Sequence, residues 1–464
     1  MLPRLVTERT QPMRLADRMR HYRVPGLSVA VVDNGQLVWA QAWGVAQIGK
    51  PQPLTVDTLM QAASISKALT GIGALKLVEQ GKLTLDADVN TGLRTWRVPP
   101  GAQTADAPVT LRRLLSHSAG LTVHGFRGYV PGEPLPSLTQ MLDGLPPANN
   151  PAVRVDKVPG SEWRYSGGGF LVLQQLMVDV TGQPFAAWMQ REVLAPAGMP
   201  ASLFGDLPDV PLARASVGHE EGGRPIEGRR ANHPELAAAG LWTTPSDLAR
   251  LSLALQQTLA GRPSSLLEPA TLAAALKPGL GPTGLGFFVE GQGERQRYGH
   301  DGRNAGFEAH WRFDARRAVI VMANANGAMP LIEEIVRAVA QVQGWADMQA
   351  QRVDATLLSQ TYETTPLFLR GSMNEWGLAT PLQRAARGRF VADVALPTGP
   401  VEFKFASEDW RAINIGAPDT GGDRTVLALD GPNIAFHVKT AGVYRFALDA
   451  RDPLAPRYAV HRVP

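Results

Sequence analysis

Ser64 and Lys67 stand three residues apart in Gln61-Ala62-Ala63-Ser64-Ile65-Ser66-Lys67-Ala68-Leu69-Thr70, where small residues lead into an apolar helical run through Ile72, Leu75 and Val78. On a helix that spacing puts both side chains on one face, within reach of each other. A serine hydroxyl is a weak nucleophile until a base takes its proton, and a lysine serves as that base when burial disfavours its ammonium form. The first turn of a helix also has N–H groups with no intrahelical acceptor, which can hold a developing oxyanion. One turn can therefore supply a nucleophile, a base and half an oxyanion hole. Taken alone, the same pattern more often marks a helix with Ser64 as its N-cap and Lys67 solvated.

Two later stretches change that balance. Tyr165-Ser166-Gly167 sits at the tip of a loop before a helix, and His300-Asp301-Gly302 lies within Tyr298-Gly299-His300-Asp301-Gly302-Arg303-Asn304-Ala305-Gly306-Phe307. Each has an ordinary structural explanation by itself: a buried tyrosine with one hydrogen bond, a surface histidine in a turn. In this order, with Val24–Val31, Leu114–Leu121 and Ala239–Leu248 as flanks, the three motifs resemble the serine β-lactamase and penicillin-binding-protein-like superfamily. The nearest likeness is to class C β-lactamases, D-alanyl-D-alanine carboxypeptidases and related esterases, over about residues 14–345.

The resemblance implies the roles. Ser64 becomes acylated. Lys67 accepts its proton, provided it starts neutral. Tyr165 stands between Lys67 and the leaving group; two nearby cations would favour its phenolate, which could relay the proton or activate the deacylating water. His300 lines the site on a strand edge and positions Tyr165 or the substrate. The backbone N–H groups of Ser64 and Arg303 form the oxyanion hole. Ser166, Gly167, Gly302 and Asn304 are the implied substrate-binding positions, with Gly299, Gly302 and Gly306 allowing close approach of the strand. Two departures matter. Gly167 stands where amidase and lactamase members carry Asn, and His300 stands where lactamases carry Lys. A histidine gives less fixed positive charge for a substrate carboxylate. Both point away from β-lactams, towards esters or D-amino-acid-containing peptides and amides. A true class C-like β-lactamase, an acyl-transferring or peptide-cyclising enzyme, and a glycan-binding protein with a degenerate hydrolase domain are the alternatives.

The elements that must position these residues follow from periodicity and turn signals. Arg9 to Tyr22 has an amphipathic helical pattern, ended by Pro25-Gly26. Leu27–Val32 and Gln36–Trp43 form a hairpin around Asp33-Asn34-Gly35. The Ser64 helix stops at Gly81, and a short helix capped by Thr110 ends near His117. Residues 122–160 are rich in Gly and Pro and read as a surface excursion or a lid. Helices follow at Phe170–Val180 and Phe185–Val193, a loop at 205–236, and a helix capped by Ser246-Asp247. Strands are expected at Gly284–Glu290, Gln296–Asn304, Phe307–Phe313 and Val319–Asn324, then a helix at Met329–Val342. The order gives an α+β fold: an antiparallel sheet built from both ends of the chain and flanked by helices, with a mostly helical region inserted. This is residues 1–345, the hydrolase domain.

Beyond Trp345 the character changes. A linker is expected at 346–360 and an all-β domain at 361–464, with short strands at Leu367–Arg370, Arg389–Ala395, Val401–Ser407, Asn433–Val438 and Val443–Asp449. Leu367–Gly377, Val401–Ala406 and Asp409-Trp410 resemble the immunoglobulin-like carbohydrate-binding modules found beside starch- and glycogen-acting enzymes. That resemblance implies glycan contact through Trp376 and Trp410. The physical alternatives are a tryptophan plugging the sandwich core, a spacer and an oligomer contact.

Composition bounds what remains. The 464 residues suggest two or three domains, and 44% hydrophobic against 19% charged residues is a globular balance. The formal charge is +4 with scattered arginines, so no nucleic-acid footprint is expected. No apolar run approaches the roughly 20 residues of a membrane span. Cysteine is absent, which removes disulfides and a thiol nucleophile. His219 and His233 lack partners at metal spacing, and Gly167-Gly168-Gly169 lacks the Lys/Thr partner of a phosphate loop, so neither metal nor cofactor is expected. Trp163 and Tyr129 fit pocket lining and core anchoring equally. The expected partner is a small-molecule or peptide substrate. Met1-Leu2-Pro3-Arg4 lacks a signal-peptide core. The resemblance implies a periplasmic or secreted protein if a leader is removed, and otherwise a cytoplasmic one.

Overall fold

A computed structural model describes residues 5–6, 12–205, 214–262, 265–345, 348, 355–410, 412–417, 425–429, 431–453 and 455–463. The chain divides into two compact units, Met1–Gln349 and Ala350–Pro464.

Unit one is organised on a six-stranded antiparallel sheet. Its strands are β1 (Gly26–Asp33), β2 (Gln36–Gly44), β3 (Phe288–Glu290), β4 (Arg297–Asn304), β5 (Phe307–Phe313) and β6 (Ala318–Ala323), in the spatial order β2-β1-β6-β5-β4-β3. The central strands are apolar on both faces, as a doubly covered sheet requires. From β1, Ala30 and Val32 enter one core while Leu27, Val29 and Val31 enter the other. The second core is closed by α1 (Leu15–His21) and α6 (Met329–Gln343), whose Leu331, Ile335, Ala338 and Val339 form a helical stripe. Arg18 of α1 donates to Glu334 of α6 through Nε at 2.8 Å, and Tyr22 donates to the same carboxylate at 2.9 Å. The helices α1 and α6, from the two ends of unit one, are thus joined on one face of the sheet.

The other face carries the inserted helical region, including α2 (Ile65–Glu79), α3 (Gly167–Thr181), α4 (Leu236–Ala239) and α5 (Pro245–Leu259). The α+β architecture, with a sheet from both chain ends, is as the sequence implies.

Local expectations shift where a cap or tertiary contact decides. α1 begins at Leu15 instead of Arg9, because Pro12–Met13 is extended and pairs with Leu5–Val6. α3 begins at Gly167, three residues early, since the Ser166 hydroxyl caps it by accepting from the Gly169 N–H. The cap of α5 is Thr244, with Pro245 first in the helix, and not Ser246-Asp247. The strand expected from Gly284 starts at Phe288. Of the loop expected at 205–236, residues 206–213 lie outside the described residues.

In unit two, α7 (Ala355–Thr364) occupies positions assigned to the linker, and its Leu358 and Tyr362 enter the β core, which is why it is ordered with that unit. Two antiparallel sheets share the core. Leu367–Gly371, Gly399–Ser407, Asn414–Gly416, Ala428–Leu429 and Ile434–Val438 make one; Gln383–Ala386, Arg389–Leu396, Gly442–Asp449 and Arg457–Arg462 make the other. Phe403 and Phe405 of the first meet Phe390, Phe446 and Leu448 of the second.

Candidate active site

The Ser64 turn is held by a pair of bonds to Leu241. Ala62 N–H donates to Leu241 O at 2.9 Å, and Leu241 N–H donates to the Ser66 hydroxyl at 3.0 Å. Ala63, just before the serine, has φ +48, a conformation a non-glycine residue adopts only when its surroundings impose it. Helix bonding starts with Ile65 N–H on Ala62 O, so Ser64 N–H lies outside the helix ladder.

Lys67 is 3% exposed. Its Nζ lies 3.0 Å from Ser64 Oγ and donates to Ala238 O at 2.8 Å. Burial brings the Lys67 ammonium down to about 7, against an opposing pull from Glu235. At neutral pH a large share of Lys67 is therefore the free amine the reaction needs.

The Tyr165 phenol is close enough to Ser64 for that hydroxyl to favour its ionised form, and it lies 3.5 Å from His300 Nε2. Lys67 Nζ sits 5.1 Å from its ring centre. The expectation of a phenolate is overturned: burial raises the Tyr165 phenol well above its ordinary value, and Asp301 adds to the rise. Of the two flanking groups, Lys67 is only partly charged at neutral pH and His300 is not charged at all. His300 is lowered to about 3 by burial, with Lys67 adding to the effect. Its Nδ1–H donates to Asp301 O, which leaves Nε2 as an acceptor facing the phenol. Tyr165 is thus a neutral donor–acceptor beside Ser64, suited to passing a proton but not to holding negative charge.

His117 has a role the sequence reading missed. Its carbonyl accepts from Arg164 N–H at 2.8 Å and its Nδ1 accepts from Ser166 N–H at 3.1 Å, so it clamps the backbone on both sides of Tyr165. The rings of His117 and Tyr165 are 4.3 Å apart. Burial, then Lys67, keep His117 neutral. Its only sequence signal was its place in the Leu114–Leu121 flank. Phe288 was missed as well; its ring stacks on Tyr165 at 6.2 Å and meets His300 edge-on at 4.9 Å.

Strand β4 places the second oxyanion donor. Asn304 and Phe307 close a two-residue turn, so they form a hydrogen-bonded pair, and in an antiparallel ladder such pairs alternate. Gly302 and His300 then bond to β5, while the Arg303 N–H points away from it. β3 pairs β4 only at Arg297–Gly299, which leaves that edge open at Arg303. Arg303's side chain lies on the face of β4 away from Gly302, beside Glu308 at 4.0 Å. On the same face Asp301 is bonded by His310 at 2.7 Å and by Arg312 Nη2 at 3.0 Å. Burial opposes this ionisation, but His310 and Arg312 hold the Asp301 carboxyl well below its usual range.

Each of the four expected substrate-binding positions already has contacts within the protein. The Ser166 hydroxyl is spent on Thr122 O at 2.8 Å and on capping α3. Gly167 N–H donates to His124 O at 3.0 Å, and a Cβ there would lie 2.8 Å from the Phe126 ring and 3.1 Å from that carbonyl. The loop after Leu121 fills the space an Asn would occupy. Gly302 approaches the protein itself: a Cβ would fall 2.0 Å from Ala62 O. The Asn304 amide nitrogen is committed to Gln61 Oε1 at 2.8 Å and Ala239 O at 3.2 Å. Tyr129 is a 2% exposed loop anchor, its hydroxyl accepting from Asn149 N–H. Trp163 packs edge-on to Phe288 and donates to Thr283. His219 accepts from Ile48 N–H at 3.1 Å and donates to Asn324 O at 2.7 Å, which uses both ring nitrogens.

Comparison with known proteins gives a consistent picture. Residues 13–343 match the family model described as Beta-lactamase. A D-aminopeptidase from Brucella melitensis is 26% identical over 461 residues, covering 95% of this chain and 80% of that protein. Esterase EstB from Burkholderia gladioli is 32% identical over 192 residues, 39% of this chain and 47% of its own length. Among solved structures, the octameric penicillin-binding protein homologue from Pyrococcus abyssi superposes with TM-score 0.58 at 17% identity, covering 96% of this chain and 98% of that one. The D-amino acid amidase from Ochrobactrum anthropi SV3 complexed with L-phenylalanine gives 0.57 at 21% identity over 70% of this chain and 96% of its own.

Proposed function

The chain belongs to the beta-lactamase family and is a serine acyl hydrolase, and on that premise we propose that it cleaves esters and D-aminoacyl amides or peptides through an acyl-enzyme on Ser64. The observation that carries the site assignment is the fully buried amine of Lys67 at 3.0 Å from Ser64 Oγ. Ser64 Oγ attacks the carbonyl carbon while its proton passes to Lys67 Nζ. The carbonyl electron pair moves onto oxygen, held by the Ser64 and Arg303 N–H groups, each such donor contributing about 3 kcal/mol to the transition state. Collapse expels the leaving group, which takes the proton from Lys67 through the neutral Tyr165 hydroxyl. Water then repeats the sequence against the ester, with the proton returned to Ser64. His300 accepts from Tyr165 and holds its orientation.

Substrate class follows from what faces the site. With His300 and His117 neutral and the Asn position closed by Phe126, none of these three positions offers a fixed cation to a carboxylate next to the scissile bond. Esters and D-aminoacyl compounds are the favoured substrates, and β-lactams acylate Ser64 but turn over slowly. A screen of p-nitrophenyl esters, D- and L-aminoacyl p-nitroanilides and nitrocefin tests this, with Ser64→Ala alongside. Turnover is expected for the first two classes and lost in the variant; undiminished activity in Ser64→Ala rejects the reading. Added amine nucleophiles diverting the acyl group would assign transfer instead of hydrolysis.

For unit two the reading is an immunoglobulin-like module contacting glycans. Trp376 and Trp410 stand outside the core, half-buried, with rings 6.3 Å apart, and Arg370 covers one face of Trp410 at 3.9 Å. Paired aromatic rings of this kind suit sugar stacking. Retention on insoluble glycan, lost in Trp376→Ala, is the test.

A further inference from the structure

Glu235 is completely buried, and neither carboxylate oxygen accepts a hydrogen bond from any described residue. Beside it is His233, also buried, with Nδ1 at 3.6 Å and neither ring nitrogen hydrogen-bonded among the described residues. Burying a carboxyl group without hydrogen bonds costs folding stability, because water solvates it far better than an apolar interior does, so its retention calls for a purpose. Its position suggests the purpose. Glu235 immediately precedes α4, whose Ala237 and Ala238 carbonyls accept from Thr70 Oγ at 3.0 Å and Lys67 Nζ at 2.8 Å. The segment that grips the catalytic amine is the one that carries the buried acid.

We propose that Glu235 is a positioning residue whose negative charge stabilises the Lys67 ammonium formed when Lys67 takes the Ser64 proton. The proposal rests on the Ser64 acyl-enzyme reading above. The other groups around Lys67 do not supply that charge. From the loop before α3 and from α3 itself come Tyr165, a neutral phenol, and the Phe170 ring at 5.7 Å. His117 and His300 are neutral and, if protonated, would oppose the ammonium. Asp301 acts on Tyr165 and His300, and is itself paired with His310 and Arg312 on the far face of β4. Tyr129 and His233 face Glu235. Among the described residues, Glu235 is the carboxylate that pulls Lys67 towards its charged form. In a dry pocket that field is weakly screened, so a charge without direct contact still acts. The arrangement parallels an acid behind a histidine base, with the carboxylate set back from the base.

The test is the pH profile of kcat/KM on a p-nitrophenyl ester, read together with fluorophosphonate labelling of Ser64. Glu235→Gln keeps the shape and removes the charge. The acid limb, set by Lys67, is expected to move down by about one to two pH units. The plateau kcat is expected to fall roughly tenfold to a hundredfold, because a less basic amine draws the serine proton less strongly. Glu235→Asp is expected to fall between Glu235→Gln and the parent. A folded Glu235→Gln chain whose limb stays in place overturns the proposal, whatever its kcat. Should the glutamine variant not fold, Glu235→Asp is read alone: a smaller downward shift supports the proposal and an unmoved limb overturns it. Labelling separates the two levels. If the parent chain is not labelled at Ser64, the acyl-enzyme reading has failed; if it is labelled and the limb does not move, only the role of Glu235 has.

Discussion

Lys67 carries the chemistry, and its state depends on burial more than on any partner. Desolvation sets its ammonium near 7, while an exposed lysine stays charged far above that. The amine must be free to accept the Ser64 proton, so kcat/KM should fall about tenfold per pH unit below roughly pH 7 and flatten above it. Ester turnover measured from about pH 5 to about pH 9 checks this. Lys67→Arg, permanently charged, should lose about a thousandfold or more. Ser64, Lys67, Tyr165 and His300 were legible as a set because each motif names its residue type. The protonation of Tyr165 was not legible. It follows from how many apolar and uncharged groups close over the phenol, and those come from distant segments: Phe288, His117 and His300. Glu235 was invisible for the same reason, since an acid five residues before a turn glycine reads as a surface residue until its burial is seen.

Elements place these residues by close backbone approach. β4 lies against the Ser64 turn at Gly302, where a Cβ would meet Ala62 O at 2.0 Å. Neither partner can yield easily: β4 is pinned by its ladder to β5, and Ala62 by its bond to Leu241. Gly302→Ala should therefore cost about 1–3 kcal/mol of stability and separate the two oxyanion donors. Thermal unfolding and kcat together check it; the expected kcat loss, at about 3 kcal/mol for one donor, is roughly a hundredfold. Hairpin β1–β2, helix α2 and the order of β4 to β6 were readable from turn residues and period. Boundaries were less so. Three glycines were a poor signal for the first turn of α3, yet the helix starts there because Ser166 caps it and Gly168 N–H reaches Val123 O at 2.9 Å. The close approach of Gly167 to Phe126 was likewise hidden, because nothing in residues 122–160 has a period that tells where the loop returns.

At the level of the whole molecule, all the site residues and the two cores that frame them lie within residues 1–349, and the paired tryptophans lie in the other unit. A fragment of residues 1–349 should keep kcat/KM on a small ester within about threefold of the full chain, since each domain holds its own core. It should also lose retention on insoluble glycan. Steady-state kinetics and a pull-down on the same preparation check both halves. The amino-acid sequence by itself determined the reacting groups, the α+β order of elements and the change to short strands after Trp345, because residue type and spacing are properties of the chain. Only the tertiary structure decided which hydroxyls and amides were already committed, that the phenol stays protonated, and that a buried acid lies behind the lysine. Those depend on desolvation and on backbone contacts between segments more than a hundred residues apart, as in the Lys67–Ala238 and Asn304–Gln61 bonds, and no local pattern encodes them.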